Sequence, residues 1–175
     1  MDKINILIII FGIIILLLLL ILFLVNNLLL KKQRVDFQFE SVIKYIKDRV
    51  ELLHRIANII ETTIDNEKKL LDSIDKSITI LSEVQNSTKE VLKELKRSSK
   101  ILEKCIKLQD IYPSLNDNEI YSMLMNEMEL NDSRINYAIE SYDREVKKYN
   151  ELKQTKINSI ISKFFKLKDY EFYNK

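Results

Sequence analysis

The chain carries one histidine, His54, and one cysteine, Cys105. Nucleophilic and metal chemistry is usually built from these residue types. A zinc centre generally draws several ligands from His and Cys, and one of each does not supply them. A Ser-His-acid triad is not excluded by counting. Yet His54 stands three residues after Glu51 on an amphipathic stretch, where a solvated side chain is the commoner role. Cys105 cannot form an intrachain disulfide and reads as a small apolar residue near a core seam. The only glycine, Gly12, lies inside an apolar run, which leaves no glycine-rich phosphate loop. Lys93, Lys96, Arg97 and Lys100 alternate with Glu90, Glu94 and Glu103, a pattern of exposed i,i+4 pairs rather than a nucleic-acid surface. The net charge of +2 sets up no field that would draw nucleic acid. The expectation is a protein that is not an enzyme, with no cofactor, no metal and no small-molecule substrate.

The other conspicuous spacing is in SYDREVKKYN, residues 141–150, where Tyr142-Asp143 and Tyr149-Asn150 fall one heptad apart. Tyr121, Met128, Ile135, Tyr142 and Tyr149 share one heptad position, and Leu124, Asn131, Ala138 and Leu152 fall on its companion. The tyrosines are therefore expected to face a core. Each ring would bury apolar area while its hydroxyl finds a partner in a charged neighbour or a polar seam group such as Asn131. A recognition surface is the alternative role.

What positions such residues is a set of long helices. One Gly and one Pro are too few for strands and tight turns. From Phe37 to Ile64, apolar residues at Phe39, Val42, Ile43, Ile46, Val50, Leu53, Ile56, Ile60 and Ile64 mark one helical face, with a weak break at Asp65-Asn66. A second segment, about Glu67 to Asp110, steps through Leu71, Ile74, Ile78, Leu81, Gln85, Thr88, Leu92, Leu95, Ser99, Leu102 and Ile106. Val84, Val91 and Ile101 widen its apolar face, which favours a bundle over a two-stranded coiled coil. Tyr112-Pro113 ends that helix. Asn116 and Glu119 then form a capping-box-like start for a third helix, about Asp117 to Ser159. The fold class is all-α: an up-and-down antiparallel bundle of three long helices, with the tail ISKFFKLKDYEFYNK as a possible short fourth. Three segments running out, back and out would leave that tail far from the chain's apolar end, so packing on the bundle is favoured over contact with lipid.

Residues 6–25, ILIIIFGIIILLLLLILFLV, contain no charged or polar side chain. At about 1.5 Å per residue this run is about 30 Å long, the thickness of a bilayer's hydrocarbon core. It is longer than a typical signal-peptide core and no small-x-small cleavage site follows it. The chain thus divides into a membrane anchor, residues 1–30, and a helical bundle, residues 31–175. Lys31, Lys32 and Arg34 place the bundle in the cytoplasm and the short N-terminus outside, as a single-pass cell-membrane protein.

The stretches YPSL, MNEMELNDSRI and YDREVKKYN resemble the LemA family of bacterial membrane-anchored proteins. Its elements fall on Tyr112, Pro113 and Leu115; on Asp132, Arg134 and Ile135; and on Tyr142-Asp143, Val146 and Tyr149-Asn150. Upstream, the resemblance covers Arg49, Glu51, Leu52 and Leu53, Glu67 with Asn66 in place of a histidine, Asn26 at the end of the apolar helix, and the aromatic Phe39. Departures from the family pattern are Asp143 for Asn, Asp132 for Glu, His54 for Pro, Thr155-Lys156 for Phe-Pro, and Phe164-Phe165-Lys166 for Phe-Gly-Phe. The resemblance implies one N-terminal membrane helix and a cytoplasmic helical bundle, and it names no reaction. Arg49, Glu67, Asp132 and Arg134 are expected to make polar contacts that set helix register.

These observations point to a membrane-anchored scaffold or adaptor, with lipid contact through residues 6–30 and either a protein partner or self-association. A signalling component, or a regulatory subunit of a membrane protein such as a protease, is the alternative. A fusion-like tether would need longer uninterrupted heptads than the break at Tyr112-Pro113 leaves.

Overall fold

Between Lys3 and Thr63 there is no proline, and Gly12 is the only glycine, so nothing stops a helix once it starts. In the computed structural model this stretch is one uninterrupted helix, α1, Lys3–Thr63. The apolar run and the first amphipathic segment therefore belong to one continuous helix. The structure describes residues 3–64, 72, 76 and 88–173. The break at Asp65-Asn66, Glu67 and the seam positions from Leu71 to Gln85 lie outside the described residues. No strand occurs among the described residues.

The remaining elements are α2, Thr88–Ile111; α3, Pro113–Asn116; α4, Glu119–Gln154; and α5, Lys156–Phe164. Helix α2 ends where proline requires it to. Tyr112 takes an extended conformation (φ −119°, ψ 93°), and Pro113 opens α3 at the position where a missing N–H costs nothing. Helix α4 is capped by Asn118, whose Oδ1 accepts the Tyr121 N–H at 3.0 Å. This corrects the expected start two residues earlier. Asn116, Asp117 and Asn118 are all capping types, and hydropathy does not choose among them.

The chain forms two compact units. One is Gln38–Asp143 with Phe172–Lys175. Within it, Arg55 meets Glu127, Arg49 meets Asp132, and the Phe39 ring meets Tyr142. Rising numbers on α4 thus pair with falling numbers on α1, so the two helices are antiparallel. Leu53, Ile56 and Ile60 of α1 form one apolar cluster with Ile101, Leu102 and Cys105 of α2, Leu115 of α3, and Tyr121, Leu124 and Met128 of α4. The expected α1 face is buried at every position except Ile43, which is half-buried. The α2 stripe is shifted from expectation. Val91, Glu94, Ser98, Ile101, Leu102 and Cys105 are buried, Leu92, Leu95 and Ser99 are half-buried, and Ile106 is exposed. The apolar face of α2 is wide enough for packing to rotate it by one residue.

The other unit is Met1–Phe37 with Arg144–Glu171. On α1 its side chains are exposed all round from Ile4 to Phe23, half-buried at Leu24 and Val25, and fully buried at Leu28 and Val35. This helix is long and apolar enough to cross a membrane, by length and composition. Val146, Tyr149 and Ile161 are the buried apolar residues from the second segment. The Tyr170 hydroxyl donates to Asp36 Oδ1, so the C-terminal segment lies against α1 just past its apolar run. This corrects the expectation that the tail lies far from the apolar end. That argument assumed three alternating segments, whereas α4 runs back along α1.

Candidate functional site

Two of the motif residues, Arg49 and Asp132, meet on facing helices. Arg49 is only 4% exposed, and its Nη2 lies 2.8 Å from Asp132 Oδ1. Burial pushes the guanidinium pKa down and Asp132 opposes the shift. The neighbouring Asn131, also buried, donates from Nδ2 to the Tyr45 carbonyl at 3.1 Å. Two successive α4 residues thus grip α1 one turn apart. A slip of either helix would strand a buried cation and a buried amide, which is how polar groups fix register. Asp132 itself is partly open to water, so the pair has a solvated side.

Arg134 does not join this contact. It is exposed on α4, with no ion-pair partner among the described residues. Glu51 and Asn26 are also exposed. Leu52, Leu115 and Ile135 are buried in packing, Tyr112 is half-buried, and Pro113 is exposed. His54 is half-buried on α1. Glu94, expected on a solvated face, is buried, with an oxygen 3.8 Å from Arg97. Cys105 is buried, and burial raises its thiol to about 12, so it remains protonated at neutral pH.

The heptad tyrosines all face inward: Tyr121, Tyr142 and Tyr149 are among the largest fully buried side chains. Two hydroxyls find backbone carbonyls rather than charged neighbours. Tyr121 donates to the Cys105 carbonyl, and Tyr149 to the Lys168 carbonyl, each at 3.0 Å. Burial, with the Cys105 thiol as a smaller cause, raises the Tyr121 hydroxyl to about 12.

The two Tyr-Asx pairs each hold a piece of the C-terminal segment. That segment turns back after α5 through Lys166, which sits in the left-handed region at φ 51°. The Leu167 N–H reaches the Ser162 carbonyl, and the Lys166 N–H reaches the Lys163 carbonyl, the bonding of a Schellman motif. In the unit containing Tyr149-Asn150, Asn150 Nδ2 donates to the Tyr170 carbonyl and the Tyr170 ring stands edge-on to Tyr149 at 5.3 Å. Lys153 Nζ donates to the Leu167 carbonyl and pairs with Asp169. In the unit containing Tyr142-Asp143, Asp143 Oδ1 accepts the Tyr173 N–H at 2.8 Å. The Tyr173 ring lies edge-on to Tyr142 and stacks on Phe39. The heptad repeat of Tyr-Asx is thus a pair of clamps on the returning chain. Each tyrosine supplies a buried ring, and each Asx supplies a bond to the backbone of this returning strap.

Sequence reasoning missed the clamped residues Tyr170 and Tyr173, and with them Asp36, Lys153 and Asp169. The only available signal was the aromatic run DYEFY at the far end of the chain. Among the described residues, no three His, Cys, Asp or Glu side chains group as metal ligands do. A family model, the LemA family, matches residues 38–175, and no curated protein matches the chain.

Proposed function

Because this chain belongs to the LemA family, we propose that it is a membrane-anchored, non-catalytic scaffold or adaptor working through helix–helix contacts. Residues 1–30 anchor it, and residues 31–175 form the cytoplasmic bundle. Lys31, Lys32 and Arg34 at the end of the apolar run favour that orientation. Protease protection of the bundle in intact cells, with cleavage after permeabilisation, is the expected result. Cleavage from outside would reverse the orientation.

The observation that carries the reading is on the outer face of α4. Met123, Leu130 and Tyr137 are spaced one heptad apart, each more than half exposed, with Ile120 beside them. An apolar row at seven-residue spacing is what a helix presents to another helix. The occupant is a helix of a partner protein or of a second copy. Photoreactive residues at Met123 and Leu130, in the full chain in its native membrane, test this. Adducts to one stoichiometric second protein make the chain an adaptor; adducts to itself make it a self-assembling scaffold. Adducts no more abundant than those from the exposed Glu129 position would overturn the reading.

A further inference from the structure

Helix α5 buries Ile161 beside two polar residues and leaves most of its large apolar side chains exposed. Its buried side chains include Asn158 and Ser162, while Ile157, Ile160 and Phe164 point outward at 57%, 72% and 82% exposure. Phe165, just past the helix, is half exposed. For a nine-residue helix this is a large apolar surface left in water, and scattered single exposures do not account for a stripe at positions i, i+3 and i+7.

From Lys156 to Lys168 every charged side chain is a lysine. Lys156 and Lys163 flank Ile160 along the helix, and Lys166 and Lys168 follow. All four are exposed, and no acidic residue occurs between Lys156 and Lys168. Apolar side chains interleaved with lysines complement an anionic lipid surface.

The position agrees. This unit contains two segments, Met1–Phe37 and Arg144–Glu171. Cover on α1 begins at Leu24 and is complete at Leu28, within the last turns of the apolar stretch and just before Lys31-Lys32. Tyr170 is bonded to Asp36. If α1 spans a bilayer, the C-terminal segment sits where hydrocarbon meets headgroups.

We infer that α5 and Phe165 form a second membrane contact. The helix lies in the plane of the interface, with Ile157, Ile160, Phe164 and Phe165 in the acyl boundary and its lysines on anionic headgroups. This rests on the reading of α1 as a spanning helix. The clamps that hold the strap then hold a membrane foot beside the anchor.

The test uses the full chain in phosphatidylcholine vesicles with and without phosphatidylglycerol. Single cysteines are introduced as Ile160→Cys, Phe164→Cys, Leu16→Cys and Glu140→Cys and labelled with an environment-sensitive fluorophore. Cys105 is buried and kept in place. The expected result is blue-shifted emission at 160 and 164, quenched by nitroxides near the headgroups and more strongly with phosphatidylglycerol. The label at 16 is quenched by mid-bilayer nitroxides and the label at 140 by neither. Labels at 160 and 164 that behave like the one at 140, while 16 is quenched, overturn the inference and leave the anchor standing. Blue-shifted labels that no lipid nitroxide quenches also overturn it, because protein then covers the stripe. Failure of quenching at 16 removes the spanning helix and the inference with it.

Discussion

The two Tyr-Asx clamps look alike in sequence and hold the chain by different means. At Tyr142-Asp143, three aromatic rings gather: Phe39 and Tyr142 at 5.8 Å, Tyr142 and Tyr173 at 4.9 Å, and Phe39 and Tyr173 at 6.4 Å. The Tyr173 N–H donates to Asp143 beside them. At Tyr149-Asn150, two rings meet, and the strap is held by bonds from Tyr149, Asn150 and Lys153 to three carbonyls. A three-ring cluster distinguishes the first clamp, and three bonds to carbonyls distinguish the second. The chemistry of the Asx residue follows. Asp143 meets an N–H and need only accept, so a carboxylate serves there. Asn150 meets a carbonyl and must donate, which a carboxylate cannot do.

The largest effect is expected at the three-ring clamp. Tyr142→Ala removes a ring that is 2% exposed and leaves a cavity beside Phe39 and Tyr173. Aromatic-to-Ala substitutions in cores cost about 3–5 kcal/mol. Denaturant unfolding in detergent should show a loss of that order, and amide exchange should show the Tyr173 N–H deprotected. A loss below about 1 kcal/mol would mean the rings are not a packed cluster.

Next is a charge swap that separates donor from acceptor. Asn150→Asp places an acceptor against the Tyr170 carbonyl. An unsatisfied, partly buried polar contact costs about 1–3 kcal/mol. The mirror change, Asp143→Asn, keeps an acceptor oxygen for the Tyr173 N–H and should cost less. Equal costs in unfolding experiments would show that the two Asx residues are interchangeable and that the comparison is wrong.

Much of this fold was legible in the sequence, because helical faces announce themselves through spacing. The α1 face, the Tyr-Pro stop and the inward row Tyr121, Met128, Ile135, Tyr142 and Tyr149 all follow from residues three, four or seven apart. The stripe of α2 did not follow, since Leu92 and Leu95 are more apolar than the Glu94 and Ser98 that packing buries. The clamps were half legible. Tyr142 and Tyr149 were expected in a core, but their partners lie across a chain reversal. A hydrogen bond to a backbone carbonyl carries no signature in the partner's residue type. The direction of the tail was misread for a similar reason: it depends on how the long helices alternate, which periodicity does not report.

Alkaline pH should loosen both clamps. Burial raises the Tyr173 hydroxyl well above its ordinary value, with Tyr142 and Asp143 adding to the shift. Burial also raises Tyr149, with Asp169 and Asp36 adding to it. A raised tyrosine pKa means the folded state holds its proton longer than the unfolded chain. This stability is complete below about pH 10, the unfolded value, and falls as pH rises toward the folded value. The slope is at most about 1.4 kcal/mol per pH unit for each tyrosine. Near-ultraviolet absorbance should show Tyr149 and Tyr173 ionising above the range of a free tyrosine. Simultaneous ionisation of all the tyrosines below pH 11 would show that neither clamp shields its ring.

The smallest effect concerns the turn that feeds both clamps. Lys166 occupies the left-handed position of the Schellman motif, where a Cβ crowds the backbone and glycine does not. Lys166→Gly relieves that cost, roughly 1–2 kcal/mol for an L-residue, and gives back part of it as entropy of the unfolded chain. The net expectation is a gain of about 1 kcal/mol in unfolding stability. Its location is the informative part. Relief at the turn should slow amide exchange at Leu167 first, because the Leu167 N–H bonds to the Ser162 carbonyl. Tyr173 is held by Asp143 and the ring cluster and should change little. Equal slowing along the whole strap would mean that one turn controls both clamps, and the contrast between the two clamps would then be secondary to that turn.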